Sequence, residues 1–259
     1  MTILFHAITD NTTYRNTVYT KLKGWEGVVY DGYRDSVGVP TIGIGFNLRD
    51  PDVFREVTKV LGPNPLAPGL TAEQVARETY WKGQLENAVA VKLIYPSSAA
   101  VRDALNQIMY QRWQDATDTV PNKRQTFEFS RTDNDAELRQ AFDSVILIYE
   151  QRVDDWLGGT GVVIPDSDER TALVSLAYNG LINIGKSPKL RAAVVNDDRA
   201  EAWCEIQYNS NAGASASQGI ADRRYGEAQL FNLYNDGALT EADHKSAYRM
   251  FTRHKTTIL

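Results

Sequence analysis

A chain of 259 residues, 42% of them hydrophobic, can bury a substantial core as one large domain or two modest ones. Its net charge of -5, with both signs spread along the chain, leaves no basic stripe for nucleic acid or an anionic surface. A single cysteine, Cys204, excludes an intramolecular disulfide and the multi-cysteine zinc sets, and His6, His244 and His254 form no ligand-spaced pair, so no metal or other cofactor is expected.

The opening MTILFHAITDNTTYRN has no basic leader and no apolar run of secretory length, and no later run reaches membrane-spanning length. The expectation is synthesis in the cytoplasm without a signal peptide and without membrane insertion. Asn11 or Thr12 can cap a first helix carrying Val18, Leu22 and Trp25 on one face, with Gly24 and Gly27 marking its end. From Val28 to Phe46, β-prone runs broken by Asp31-Gly32, Asp35-Ser36 and Gly38 predict a small antiparallel sheet, with Asp35 in a turn and Thr41 in a strand. If the strand runs unbroken through Phe46, its two-residue period turns Ile42, Ile44 and Phe46 to one side and Thr41, Gly43 and Gly45 to the other.

Asp50-Pro51 opens the next helix by the cap-then-proline rule, and GPNPLAPG over residues 62–69 reads as a linker. The division expected is residues 1–62, a helix and a small sheet lobe, against 63–259, a helical lobe with inserted helices over about 85–150. Further helices are predicted from Thr71, over 98–113, over 135–157 to Gly158-Gly159, from Ser167 to Gly180, over 217–231, and from a Thr240/Asp243 cap to Arg253. The polar stretch 114–134 reads as an exposed loop, and nothing beyond residue 62 reads as a strand.

Glu26 at a helix end, Asp35 nine residues on and Thr41 six beyond that supply oxygen chemistry. Glycosidic cleavage needs one carboxyl to protonate the leaving oxygen and a second to orient or deprotonate water. These spacings, with TIGIG running from Thr41, resemble the catalytic segment of the T4-type phage lysozymes and the related pesticin-like muramidases. The resemblance covers about residues 15–61, 70–90 and 150–235. It implies an α+β, lysozyme-like bilobal fold, a small antiparallel sheet lobe plus a larger mainly helical lobe, with a sugar cleft. It also implies an N-acetylmuramidase in which Glu26 is the general acid and Asp35 and Thr41 hold the attacking water, with inversion. Asp31 and Asp50 compete with Asp35 for the second carboxylate.

By the same resemblance Tyr178 and Asn179, in SDERTALVSLAYNG, face substrate, and Arg223 or Arg224, in SQGIADRRYGEAQLF, reaches the catalytic glutamate. Tyr178 as core and both arginines as solvated surface are the plain alternatives. Phe46 stands where many members carry a histidine, which in some relatives serves a structural ion pair. The expected partner is a peptidoglycan strand, for a monomeric phage endolysin that a holin would release to the wall. A toxin-like muramidase with an immunity protein, or a non-catalytic wall-binding phage structural protein, are the other readings. IGIGF lacks the third glycine and the following helix of a dinucleotide fingerprint, and Ser144 and Ser175 lack a nucleophile elbow.

Overall fold

The computed structural model describes residues 3–61, 71–90, 97–115, 126–210 and 218–258. It is mainly helical, with one three-stranded antiparallel sheet near the N-terminus, as an α+β chain requires. The chain divides into two compact units, residues 22–148 and residues 1–21 with 149–259. The boundary drawn at residue 62 from the glycine- and proline-rich stretch lies outside the described residues. Among the described residues, no helix is long and apolar enough to cross a membrane.

Residues 22–148 hold the sheet. β1 (Val29–Arg34) pairs with β2 (Pro40–Gly43), and β2 pairs with β3 (Phe46–Asn47). The unbroken strand expected through TIGIGF is therefore corrected. Ile42 pairs with Phe46 across a tight reversal at Gly43–Gly45, where Gly43 (φ +69°) and Gly45 (φ +92°) adopt the left-handed backbone that glycine alone takes without strain. The glycines serve the turn, while Ile42, Ile44 and Phe46 are all buried.

Around this sheet stand α2 (Pro51–Leu61), α3 (Ala72–Ala90), α4 (Ser98–Asp115) and most of α5 (Ala136–Leu157). Asp50 caps α2 through Asp52 N–H at 3.1 Å, as Asp-Pro predicts. α4 lies so close on β1 that a Cβ at Gly32 would meet Leu105 Cδ1 at 2.6 Å, which explains a glycine inside a strand. The exposed loop expected over 114–134 is corrected in its described part: Asp115 ends α4, and Phe127 and Phe129 are core. Phe127 stacks on Phe54 with ring centroids 6.3 Å apart, and Phe129 meets Phe46 edge-on at 6.1 Å. Phe46 thus makes an apolar contact at the position where a histidine ion pair was in question. Phe129 N–H also donates to Tyr30 C=O at 3.0 Å, and Glu128 bridges Asp31, extending the edge of β1.

The other unit holds the first turns of α1 (Asn11–Glu26), then α6 (Asp168–Tyr178), α7 (Pro188–Val195), α8 (Arg199–Cys204), a π-helical turn (Glu205–Asn209), α9 (Gln218–Phe231), α10 (Glu241–Arg253) and α11 (Lys255–Ile258). The α1 cap is Asp10, one residue before the pair expected. Its carboxylate accepts from Thr13 N–H at 2.7 Å, a charge-assisted bond that neutral Asn11 or Thr12 could not match, and these contacts hold it below the usual carboxylate range. Thr240 and Asp243 form the reciprocal capping box of α10. Cys204 is buried, which pushes its thiol up to about 12 and leaves it an inert small apolar group.

Two buried carboxylates organise this unit. Glu169 accepts from His6 N–H at 3.0 Å, contacts His6 Nδ1 at 2.6 Å and pairs with Arg199 at 2.7 Å, fastening the N-terminal segment to α6 and α8. Glu227, 0% exposed, receives Arg223 Nε at 3.1 Å, Arg224, and the Ser175 hydroxyl at 2.5 Å, joining α9 to α6. Removing one member of such a cluster strands the remaining charge in a low-dielectric interior. Glu227→Ala should therefore cost about 3–5 kcal/mol of folding stability, measured by urea unfolding. A loss below about 1 kcal/mol, the level of an exposed pair, would show the cluster to be energetically idle.

Candidate active site

α1 ends at Glu26 because Gly27 follows in the left-handed conformation (φ +71°), its N–H donating to Lys23 C=O at 3.0 Å. Glu26 is exposed, and its carboxyl lies against the sheet turn: a Cβ at Gly45 would stand 3.5 Å from both Cδ and Oε2. The last turn of α1 is tied in place by the residue that precedes α5. Asp135 binds the Lys23 ammonium and accepts the Tyr30 hydroxyl at 2.5 Å, linking α1, β1 and the start of α5 three residues before the glutamate.

The β1–β2 connection is built by Asp35. Its Oδ1 accepts Val37 N–H at 3.0 Å and Val39 N–H at 2.7 Å, while its own N–H donates to Val39 C=O. Among the described residues Oδ2 has no hydrogen-bond partner. The register of this hairpin sets Thr41 opposite Tyr33. Thr41 is 4% exposed, and its hydroxyl donates to Val39 C=O at 2.9 Å, leaving the oxygen lone pairs as acceptors.

Tyr33 is the residue that the sequence reading missed. Burial first, and then the negative charges of Glu26 and Asp35, push its phenol above the ordinary value. One phenol therefore senses both carboxylates from a strand position paired with Thr41. The signal was available: a turn closed by Asp35 and Val39 forces 33 opposite 41.

The competing aspartates are otherwise engaged. Asp31 pairs with Arg131 at 2.9 Å, and Asp50 caps α2. Glu26, Asp35 and Thr41 all belong to the 22–148 unit, whereas Tyr178, Asn179, Arg223 and Arg224 belong to the other. Tyr178 is half-buried, its ring 4.6 Å from that of Tyr149, and Asn179 is exposed at the end of α6 with its amide donating to Ser175 C=O. Arg223 and Arg224 are buried against Glu227, which overturns the solvated-surface alternative for both.

No protein-family model, curated protein or solved structure matches this chain. Among the described residues no group of three or more His, Cys, Asp or Glu side chains is placed to hold a metal ion. The chemistry offered by the site is that of two carboxyls, a hydroxyl and a phenol. Together they can protonate an oxygen and order a water.

Two expectations follow from this geometry. The phenolate absorbance difference between the protein and Tyr33→Phe should reveal a group titrating above about 10, and both Glu26→Gln and Asp35→Asn should lower it by removing a negative charge. An unmoved midpoint in both variants would separate Tyr33 from the carboxylates. The Lys23 and Tyr30 contacts hold the Asp135 carboxyl below its usual range, so its stabilisation is present above about pH 4 and lost as pH falls further. Thermal midpoints of wild type and Asp135→Asn should therefore converge on acidification from about pH 6 to about pH 3. A gap that persists at the acid end would assign the effect to something other than the charge.

Proposed function

We propose that the chain is a lysozyme-like glycoside hydrolase, bilobal in the manner of the T4-type phage lysozymes, that cuts the β-1,4 bond between N-acetylmuramic acid and N-acetylglucosamine in peptidoglycan. The observation that carries the reading is Tyr33. Burial and then the charges of Glu26 and Asp35 raise this phenol, which is paired with Thr41, and that supports reading the residues named by the catalytic-segment resemblance as one site.

In the mechanism, the protonated Glu26 carboxyl gives its proton to the glycosidic oxygen as the bond to the anomeric carbon breaks. A water lies on the opposite face of the ring, one hydrogen accepted by Asp35 Oδ2 and the other by Thr41 Oγ1. Thr41 can only accept, because its own proton is committed to Val39 C=O. The water then presents a lone pair to the anomeric carbon, its surplus proton passes to Asp35, and the centre inverts. Solvent returns Glu26 and Asp35 to their starting states. The biological role that fits is an endolysin acting at the bacterial wall after release from the cytoplasm.

The test is release of reducing ends from purified peptidoglycan. Glu26→Gln should lower it by about 10³-fold or more, since the amide fills the same space without supplying a proton, with the thermal midpoint unchanged. Asp35→Asn should also inactivate while preserving the loop, because the amide oxygen still accepts the Val37 and Val39 N–H groups. Wild-type reducing-end release by Glu26→Gln would remove the glutamate from the mechanism. Absence of any release by the wild-type protein would leave a glycan-binding protein in place of an enzyme.

A further inference from the structure

In the unit formed by residues 1–21 and 149–259, a cavity of about 360 Å³ lies beside the end of α6, within the size range of small-ligand sites. Among the described residues its lining includes the apolar Leu176, Leu181 and Leu190 and the polar Lys189, Glu205 and Asn209. Glu205 is only 7% exposed. Among the described residues its carboxylate accepts one hydrogen bond, from Asn209 Nδ2 to Oε1 at 2.7 Å, and no cation pairs with it.

The two carboxylates of the unit that are 0% exposed are treated differently, while Asp243, also 7% exposed, is held by hydrogen bonds from Thr240 and Asn235. Glu169 has Arg199, and Glu227 has Arg223 and Arg224. Burying a charge without a counter-ion is costly, and Glu205 bears that cost on the wall of an open cavity. The backbone makes a second concession at the same place. Glu205–Asn209 is a π-helical turn, a wide and uncommon geometry that persists mostly at functional sites, and it brackets the Glu205–Asn209 hydrogen bond. Lys189, exposed near the start of α7, borders the cavity as well.

We propose that this cavity is a binding site for an ω-amino acid: a primary ammonium held by Glu205, a short aliphatic stem against Leu176, Leu181 and Leu190, and a carboxylate met by Lys189. The free end of a diamino acid, alone or as part of a peptide, carries these groups in this order. The ammonium supplies the counter-ion that Glu205 lacks, and the stem covers apolar wall that no polar ligand would fill. The site stands apart from the glycosidase reading, since binding can be measured with no wall substrate present.

The experiment is titration of the intact, isotope-labelled protein with 6-aminohexanoate and with lysine, followed by amide chemical shifts and calorimetry. Saturable shifts at Leu176, Leu181, Leu190 and Asn209 are expected with both probes. Nε-acetyl-lysine, which has lost the terminal cation, should bind about tenfold more weakly than lysine or worse, as should 6-aminohexanoate to Glu205→Gln, the scale of one charge-assisted hydrogen bond. Glu205→Gln should fold with an unchanged or higher thermal midpoint, because it relieves an uncompensated charge, so lost binding is not lost structure. Lys189→Ala should weaken 6-aminohexanoate and leave hexylamine, which has no carboxylate, unaffected. No saturable shift, or equal affinity in wild type and Glu205→Gln, would overturn the site. Equal weakening of both probes by Lys189→Ala would overturn the role given to the lysine.

Discussion

The placement of Glu26 depends on a stretch of backbone that has no side chain to offer. At Gly45 the chain reverses with φ +92° and no Cβ, and the glutamate carboxyl rests on the surface so exposed. Gly43, at φ +69°, is constrained from the inner side too, since an added Cβ would lie 2.8 Å from the Phe46 ring and 3.0 Å from Leu138. The turn is thus pinned between a core it cannot enter and a carboxyl it must admit. The pairing of Ile42 with Phe46 and of Thr41 with Asn47 follows from where it reverses, while the Asp35 loop sets Tyr33 opposite Thr41.

Asp35 and Thr41 divide their hydrogen-bonding capacity between structure and solvent. One oxygen of Asp35 closes its own loop, and the single proton of Thr41 goes to the same loop at Val39. What remains on each is acceptor capacity. Two acceptors and no donor favour a water held by its hydrogens over an anion or a carbonyl oxygen. Lys23 and Arg131 are held in ion pairs with Asp135 and Asp31, whereas the Arg34 and Arg49 guanidinium groups lie at Gly38 of the same loop.

Local signals in the sequence were the legible ones. Asp50-Pro51, Thr240 with Asp243, and the loop at Asp35 depend on neighbours within a few residues, and the structure has each of them. The turn inside TIGIGF was hidden because alternate glycines satisfy a strand pattern and a reversal equally, and only the pairing of Ile42 with Phe46 decides between them. Phe127 and Phe129 sat in a polar stretch whose average concealed two core anchors. The Glu227 cluster could have been suspected from Arg223 and Arg224 at helical spacing before it. Its burial came from Ser175, more than fifty positions away, and such distances leave no mark on a local reading. For the candidate site, Glu26, Asp35 and Thr41 were readable as residue types in a spacing. Tyr33 required the strand register.

The chain passes between its two units inside α1, at Lys21–Leu22, and inside α5, at Ile148–Tyr149. One unit is therefore a single continuous run of sequence and the other is split around it. During vectorial synthesis the continuous unit leaves the ribosome whole, while the N-terminal segment bearing His6 must wait for Glu169 and Arg199 to emerge. The order of translation makes the sheet and its carboxylates the earlier product, and the buried ion clusters are the late closure that captures the beginning of the chain.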